Sequence, residues 1–189
     1  MLTTTLNRIR AHSPCRAGWK NLQRGLGKTQ ADDEPLPYAD ILRINGLDDA
    51  LWCCCAEPQY SKEWRLYAVW CARRVQHLMT DARSVAALNV AERYAYGQAT
   101  DDELGAARVA ARAAARAAAW DVARVAARVA ASAAAWDAAW DAAEVAARAA
   151  AIAAARAAAW DAAWDAARDE HAAEFLRVVG HPENGGAAC

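Results

Sequence analysis

The stretch from Arg108 to Ala167 limits what this chain can fold into. It is fifteen consecutive tetrads, beginning RVAA RAAA RAAA WDVA, with Ala in the third and fourth slots throughout except at Val122. No Gly or Pro interrupts it, and Ala is the best helix former, so the local structure is helix. Four residues advance about 400° around an α-helix, so the Arg/Trp row drifts roughly 40° per tetrad and circles a straight helix more than once. An unbroken helix from Asp101 to Arg168 would span roughly 100 Å at 1.5 Å per residue. A chain of 189 residues has few helices long enough to cover that length. The tract is therefore expected to break into helices of about 16–20 residues, to meet partners that wrap with the row, or to dimerise.

Within the row, four-residue spacing makes neighbours of Arg116 and Trp120, Trp120 and Arg124, Arg156 and Trp160, and Trp164 and Arg168. A guanidinium over an indole contributes about 0.5–1 kcal/mol at an exposed site. Asp121 and Asp165 add weak ion pairs three residues before Arg124 and Arg168. Exposed pairs contribute little, so the Arg and Asp positions are accounted for by solvation of an Ala-rich helix. Five exposed indoles would make a costly surface, which places Trp120, Trp136, Trp140, Trp160 and Trp164 at helix–helix contacts or a partner interface. With Arg108, Arg112 and Arg116 they form the expected partner-binding set. The eleven residues AAAWDAAWDAA occur at Ala133–Ala143 and again at Ala157–Ala167. Arg108–Arg128 carries five Arg and one Asp, whereas Asp137–Asp165 carries two Arg against four Asp and one Glu. Oppositely charged halves favour antiparallel pairing within the chain or across a dimer. Expansion of a short coding repeat would produce the same regularity with no function attached.

Before the tract, residues 1–100 read as an N-terminal domain of short helices. Leu6 and Ile9 form one amphipathic turn, closed by Ser13-Pro14, and Trp19, Leu22 and Leu26 share a face of a second helix. A third helix over 37–44 stops at Asn45-Gly46, and a fourth runs to about Cys55. Ser61 starts a helix expected to reach Met79, with Trp64, Tyr67, Ala68, Cys71, Val75 and Leu78 as its buried stripe. Thr80 or Asp81 starts the next, carrying Val85, Leu88, Val90 and Ala91 and ending at Gly97. Thr100 and Glu103 then make a capping box that launches the tract. Residues 101–179 form the Ala-rich region, whose last segment, AEFLRVV, is an apolar patch, and 180–189 form a tail. Nothing alternates at period two, so the expected fold is all-α, with the Ala-rich helices packed as a bundle or bent array against the first domain.

The chemistry-bearing residues point away from catalysis. A net charge of −1 supplies no basic field, which disfavours nucleic acid as a partner. Cys53-Cys54-Cys55 points in three directions on a helix and no C-x-x-C pair exists, so no metal site is expected; Cys54 and Cys71 read as small buried hydrophobes. Gly25-Leu26-Gly27-Lys28-Thr29 ends in GKT but lacks the phosphate-loop spacing. Asp48-Asp49 and Asp101-Asp102 read as acids in first helical turns. No catalytic residue and no cofactor are expected. Arg or Asp recurs through every apolar run, which excludes a bilayer span, and no secretory signal is read at the N-terminus; the expected location is a bacterial cytoplasm.

NGLDDALWC at Asn45–Cys53, WRLYAVWCARRVQHLM at Trp64–Met79 and DARSVAALNVAERYAYGQATDDEL at Asp81–Leu104, followed by the Ala-rich segment, resemble a group of phage and bacterial proteins. Some of that group are labelled immunity proteins, similar to the Imm5-like class, and the resemblance spans most of residues 37–167 in layout. The resemblance implies a helical binder inside the cell that neutralises a toxin or a defence component, and it transfers no catalytic motif. The expected function is stoichiometric inhibition of a protein partner through a helical surface. The alternative is a structural module that self-assembles through the Ala/Trp tract, as a homodimer for instance.

Overall fold

The computed structural model describes residues 1–117 and 160–180, and the fold is all-α. Its helices are α1 (Leu6–Ala11), α2 (Arg16–Gly25), α3 (Tyr38–Asn45), α4 (Leu47–Cys53), α5 (Ser61–Arg74), α6 (Ala82–Ala95), α7 (Asp101–Ala117) and α8 (Trp160–Gly180). One small feature lies outside the helical expectation. Strand β1 (Thr3–Thr4) pairs antiparallel with β2 (Leu36–Pro37), in register Thr3 to Pro37 and Thr4 to Leu36. Two residues per strand are too few to carry a period-two pattern, so no alternation marks them.

The helix ends follow local chemistry. Thr5 caps α1 by accepting the Arg8 N–H, and the Cys15 thiol caps α2 by accepting the Gly18 N–H at 3.3 Å. Gly46 separates α3 from α4 with φ at 83°, a left-handed conformation that Gly adopts without a Cβ penalty. The capping box stands as read: the Glu103 N–H donates to the Thr100 hydroxyl at 3.2 Å, and the Thr100 N–H donates to Glu103 Oε2 at 2.7 Å. Two boundaries differ from expectation. The α-helix of α4 ends at Cys53, where a 3-10 turn over Cys54–Ala56 takes over. Helix α5 stops at Arg74 instead of Met79, and a 3-10 turn, Gln76–Leu78, replaces its last turn. There Arg73 donates to Gln76 on that turn and to Asn89 and Glu92 on α6, tying the end of α5 to its neighbour.

The core is built around four rings. Tyr38, Trp64, Tyr67 and Phe175 are fully buried, and the Phe175 centroid lies 5.6 Å from Tyr67, 6.1 Å from Trp64 and 6.2 Å from Tyr38. Each polar tip has a partner. The Tyr38 hydroxyl donates to Cys53 O at 3.0 Å, Trp64 Nε1–H to Glu57 O at 3.2 Å, and the Tyr67 hydroxyl to His171 O at 3.2 Å. Most of the α5 stripe is buried as expected, Leu78 being half-buried, and Cys54 and Cys71 are core residues. On α6 the buried stripe is Ser84, Ala87, Leu88 and Ala91, with Val85 and Val90 to either side of it.

Helix α7 packs mainly on α6 and buries Leu104, Ala111 and Ala114; helix α8 packs on α3 and α5. The apolar patch AEFLRVV contributes Phe175, Val178 and Val179 to the centre of the core, and the Leu2 N–H donates to Val179 O at 2.6 Å. One core cluster thus runs across the expected boundary at residue 100. The expectation of breaks or bends within the tract concerns residues 118–159, which lie outside the described residues. Its two described ends, α7 and α8, both enter that same cluster.

Candidate functional site

Two short helical stripes face each other across a cleft. On α2 and its cap they are Cys15, Gly18, Trp19 and Leu22; on α4 and the residue before its cap, Asn45, Asp48, Asp49 and Trp52. Trp19 and Leu22, with the cap Cys15 and Gly18, share one face of α2; Asp48, Asp49 and Trp52 share one face of α4, and Asn45, the last residue of α3, joins them across Gly46. The cleft has a volume of about 120 Å³ and opens to solvent. Ile9, Leu22 and Cys53, all buried, line its base. Trp19, Trp52, Asp48 and Asp49 are half-buried, and Cys15 is exposed beside them.

The Asp49 carboxylate is held in place by an amide clamp. Asn45 Nδ2 donates to Asp49 Oδ2 at 2.6 Å and to Gly18 O at 2.9 Å, while Asn21 Nδ2 donates to Asn45 Oδ1 at 3.1 Å and to Ile44 O at 3.0 Å. Gly18 makes the close approach workable, since a Cβ there would stand 2.6 Å from Asp49 Oδ2. Arg168 of α8 reaches across to Asp48 with Nη2 at 3.3 Å. Both acids occupy the first turn of α4, as read, but the same turn also forms one wall of the cleft. A second, more polar hollow of about 340 Å³, bordered by Arg10, Gln23 and Thr29, shares the Trp19 wall.

Burial governs the titratable groups at the base of the cleft and in the core. Burial pushes the Cys53 thiol up, with Cys55 and Asp49 adding to it, and burial likewise raises Cys71, Tyr38 and Tyr67. Burial lowers Arg65, whose guanidinium lies 4.9 Å from the centroid of the Tyr94 ring. Glu57 is fully buried and pairs with Arg8 and Gln59. Among the described residues no group of three or more His, Cys, Asp or Glu is placed to hold a metal ion.

The expected partner-binding residues lie away from this cleft or beyond the described structure. Arg108 is half-buried on α7, while Arg112 and Arg116 are exposed on it, and none of the three lines the cleft. Trp120, Trp136 and Trp140 lie outside the described residues; Trp160 and Trp164 belong to α8, but their side chains lie outside them too. Arg168, read as a neighbour of Trp164 and Asp165 on its own helix, contacts Asp48 of α4. Trp19, Trp52, Asp48 and Asp49 were not singled out as binding residues. Their signal was the matched spacing of the two stripes, and only the tertiary fold makes them face each other.

Fold and cleft together define a class: an all-α protein with an acidic, indole-walled recess between two short helices. Comparison of the chain with protein-family models, curated proteins and solved structures finds no match. No helix among the described residues is long and apolar enough to cross a membrane.

Proposed function

We propose that this chain is a non-catalytic binding protein of the bacterial cytoplasm, which inhibits a protein partner stoichiometrically, as an immunity or anti-defence protein does. The observation that carries this reading is the α2/α4 cleft, where two half-buried indoles and two anchored carboxylates open to solvent. Indoles serve as interface anchors because they bury a large apolar area with few rotatable bonds. The amide clamp of Asn21, Asn45 and Asp49 sets the acidic wall in advance, which lowers the ordering cost of docking. The resemblance of Asn45–Cys53 to immunity-type proteins supports the same reading, since Asp48, Asp49 and Trp52 fall inside that segment.

A photoreactive residue introduced at Ala17, exposed on α2 beside the cleft, tests it in the native cells. The expected result is a one-to-one adduct with a single host protein, lost when Trp19 and Trp52 are both replaced by Ala. The purified host protein should lose its activity at one molar equivalent of this chain. Adducts containing only a second copy would replace this reading with the self-assembling module. That second reading draws on α7, where Val109 is 68% exposed beside the exposed Arg112 and Arg116.

A further inference from the structure

We propose that the α2/α4 cleft takes the guanidinium of an arginine side chain presented by the protein partner. This rests on the binding reading above and names the chemistry of the group that enters. Charge selects a cation at Asp49: it lines the cleft beside Asp48, and no Lys or Arg is among the residues that do. Arg168 meets Asp48 from α8, so a guanidinium already stands on one of these carboxylates. At Asp49, Asn45 occupies Oδ2, and Oδ1 accepts no hydrogen bond among the described residues. Among the described residues that oxygen is open to an incoming N–H.

Size and wall chemistry narrow the cation. A dry cavity of about 150 Å³ holds benzene, so the 120 Å³ here suits a flat group of similar or smaller size. Trp19 and Trp52 present indoles, on which a guanidinium stacks through cation–π attraction. An ammonium is a strongly hydrated point charge, whereas a guanidinium is planar, weakly hydrated and donates in a fork that matches a carboxylate. The apolar base of Ile9, Leu22 and Cys53 favours the less hydrated ion. The polar hollow beyond Trp19 leaves room for the peptide that carries the arginine.

The test uses the full chain and a pair of probes, N-acetyl-arginine amide and its neutral isostere N-acetyl-citrulline amide, followed by heteronuclear NMR. The arginine probe should saturably shift the Trp19 and Trp52 indole N–H signals and the Gly18 amide. The citrulline probe should bind about tenfold more weakly or worse, because it keeps the shape and loses the charge. Asp49→Asn should bring the arginine probe down to the citrulline level, while Asp102→Asn on α7 should leave it unchanged. Equal binding of the two probes, saturation elsewhere on the surface, no saturable binding, or arginine binding that survives Asp49→Asn in a folded variant would each overturn the proposal. The Ala17 cross-link reads docking itself and succeeds or fails independently of the probe pair, so the two readings can fail separately.

Discussion

The His171 imidazole is 3% exposed, edge-on to Trp70 with ring centroids 5.6 Å apart. Burial holds its pKa below the ordinary value; Arg74 and Arg168 push the same way, and Glu170 opposes them. In the unfolded chain the imidazole takes up its proton near pH 6.5. Below that pH the unfolded state binds more protons than the folded state, so stability falls until the folded pKa is passed. Urea denaturation should therefore show stability falling as the pH drops through about 6.5. His171→Phe keeps a ring against Trp70 and has no proton to bind, so that part of the slope should disappear. An unchanged slope in the variant would assign the pH dependence to other groups.

Two glycines in helices test how elements pack. At the end of α2, a Cβ on Gly25 would stand 2.5 Å from Ile44 Cγ2 of α3; in α7, a Cβ on Gly105 would have nothing within 4 Å. Replacing Gly by Ala in a helix gains up to about 1 kcal/mol, and overpacking costs about 1–3 kcal/mol. Gly105→Ala should raise stability by about 0.5–1 kcal/mol and Gly25→Ala should lower it by about 1 kcal/mol, both read by denaturant midpoints. The elements that were legible in the sequence are those whose signal is local. The α5 stripe from Trp64 to Val75 announces itself by period, and the Thr100–Glu103 box by residue type and spacing. The early stop of α5 was not legible, because it coincides with Arg73 reaching residues of α6. The cleft was illegible for a related reason. Asp48 and Asp49 had a sufficient local account as first-turn acids, and Trp19 had one as a core-facing ring, so nothing demanded that they meet.

At the scale of the whole molecule, α8 is the piece that completes the core. Phe175 fills the space among Tyr38, Trp64 and Tyr67, drawn from α3 and α5, and Val178 and Val179 follow it into the same cluster. Phe175→Ala should cost about 3–5 kcal/mol, measured by thermal or denaturant unfolding, because three rings would face the vacated volume. A loss below about 1 kcal/mol would mean that the cluster closes without α8. In the sequence this residue belonged to an apolar patch with no assigned partner; its neighbours are supplied by helices more than a hundred positions earlier.

That separation has a consequence for synthesis. Tyr67 and His171 are 104 residues apart, and the Leu2 N–H finds its acceptor only at Val179. A ribosome delivers residues in one direction at roughly 5–20 per second, so an emerged Tyr67 waits roughly 5–20 s for its acceptor. During that interval Tyr38, Trp64 and Tyr67 lack the ring that covers them. The aromatic cluster therefore closes after translation has passed α8, not while the first five helices emerge.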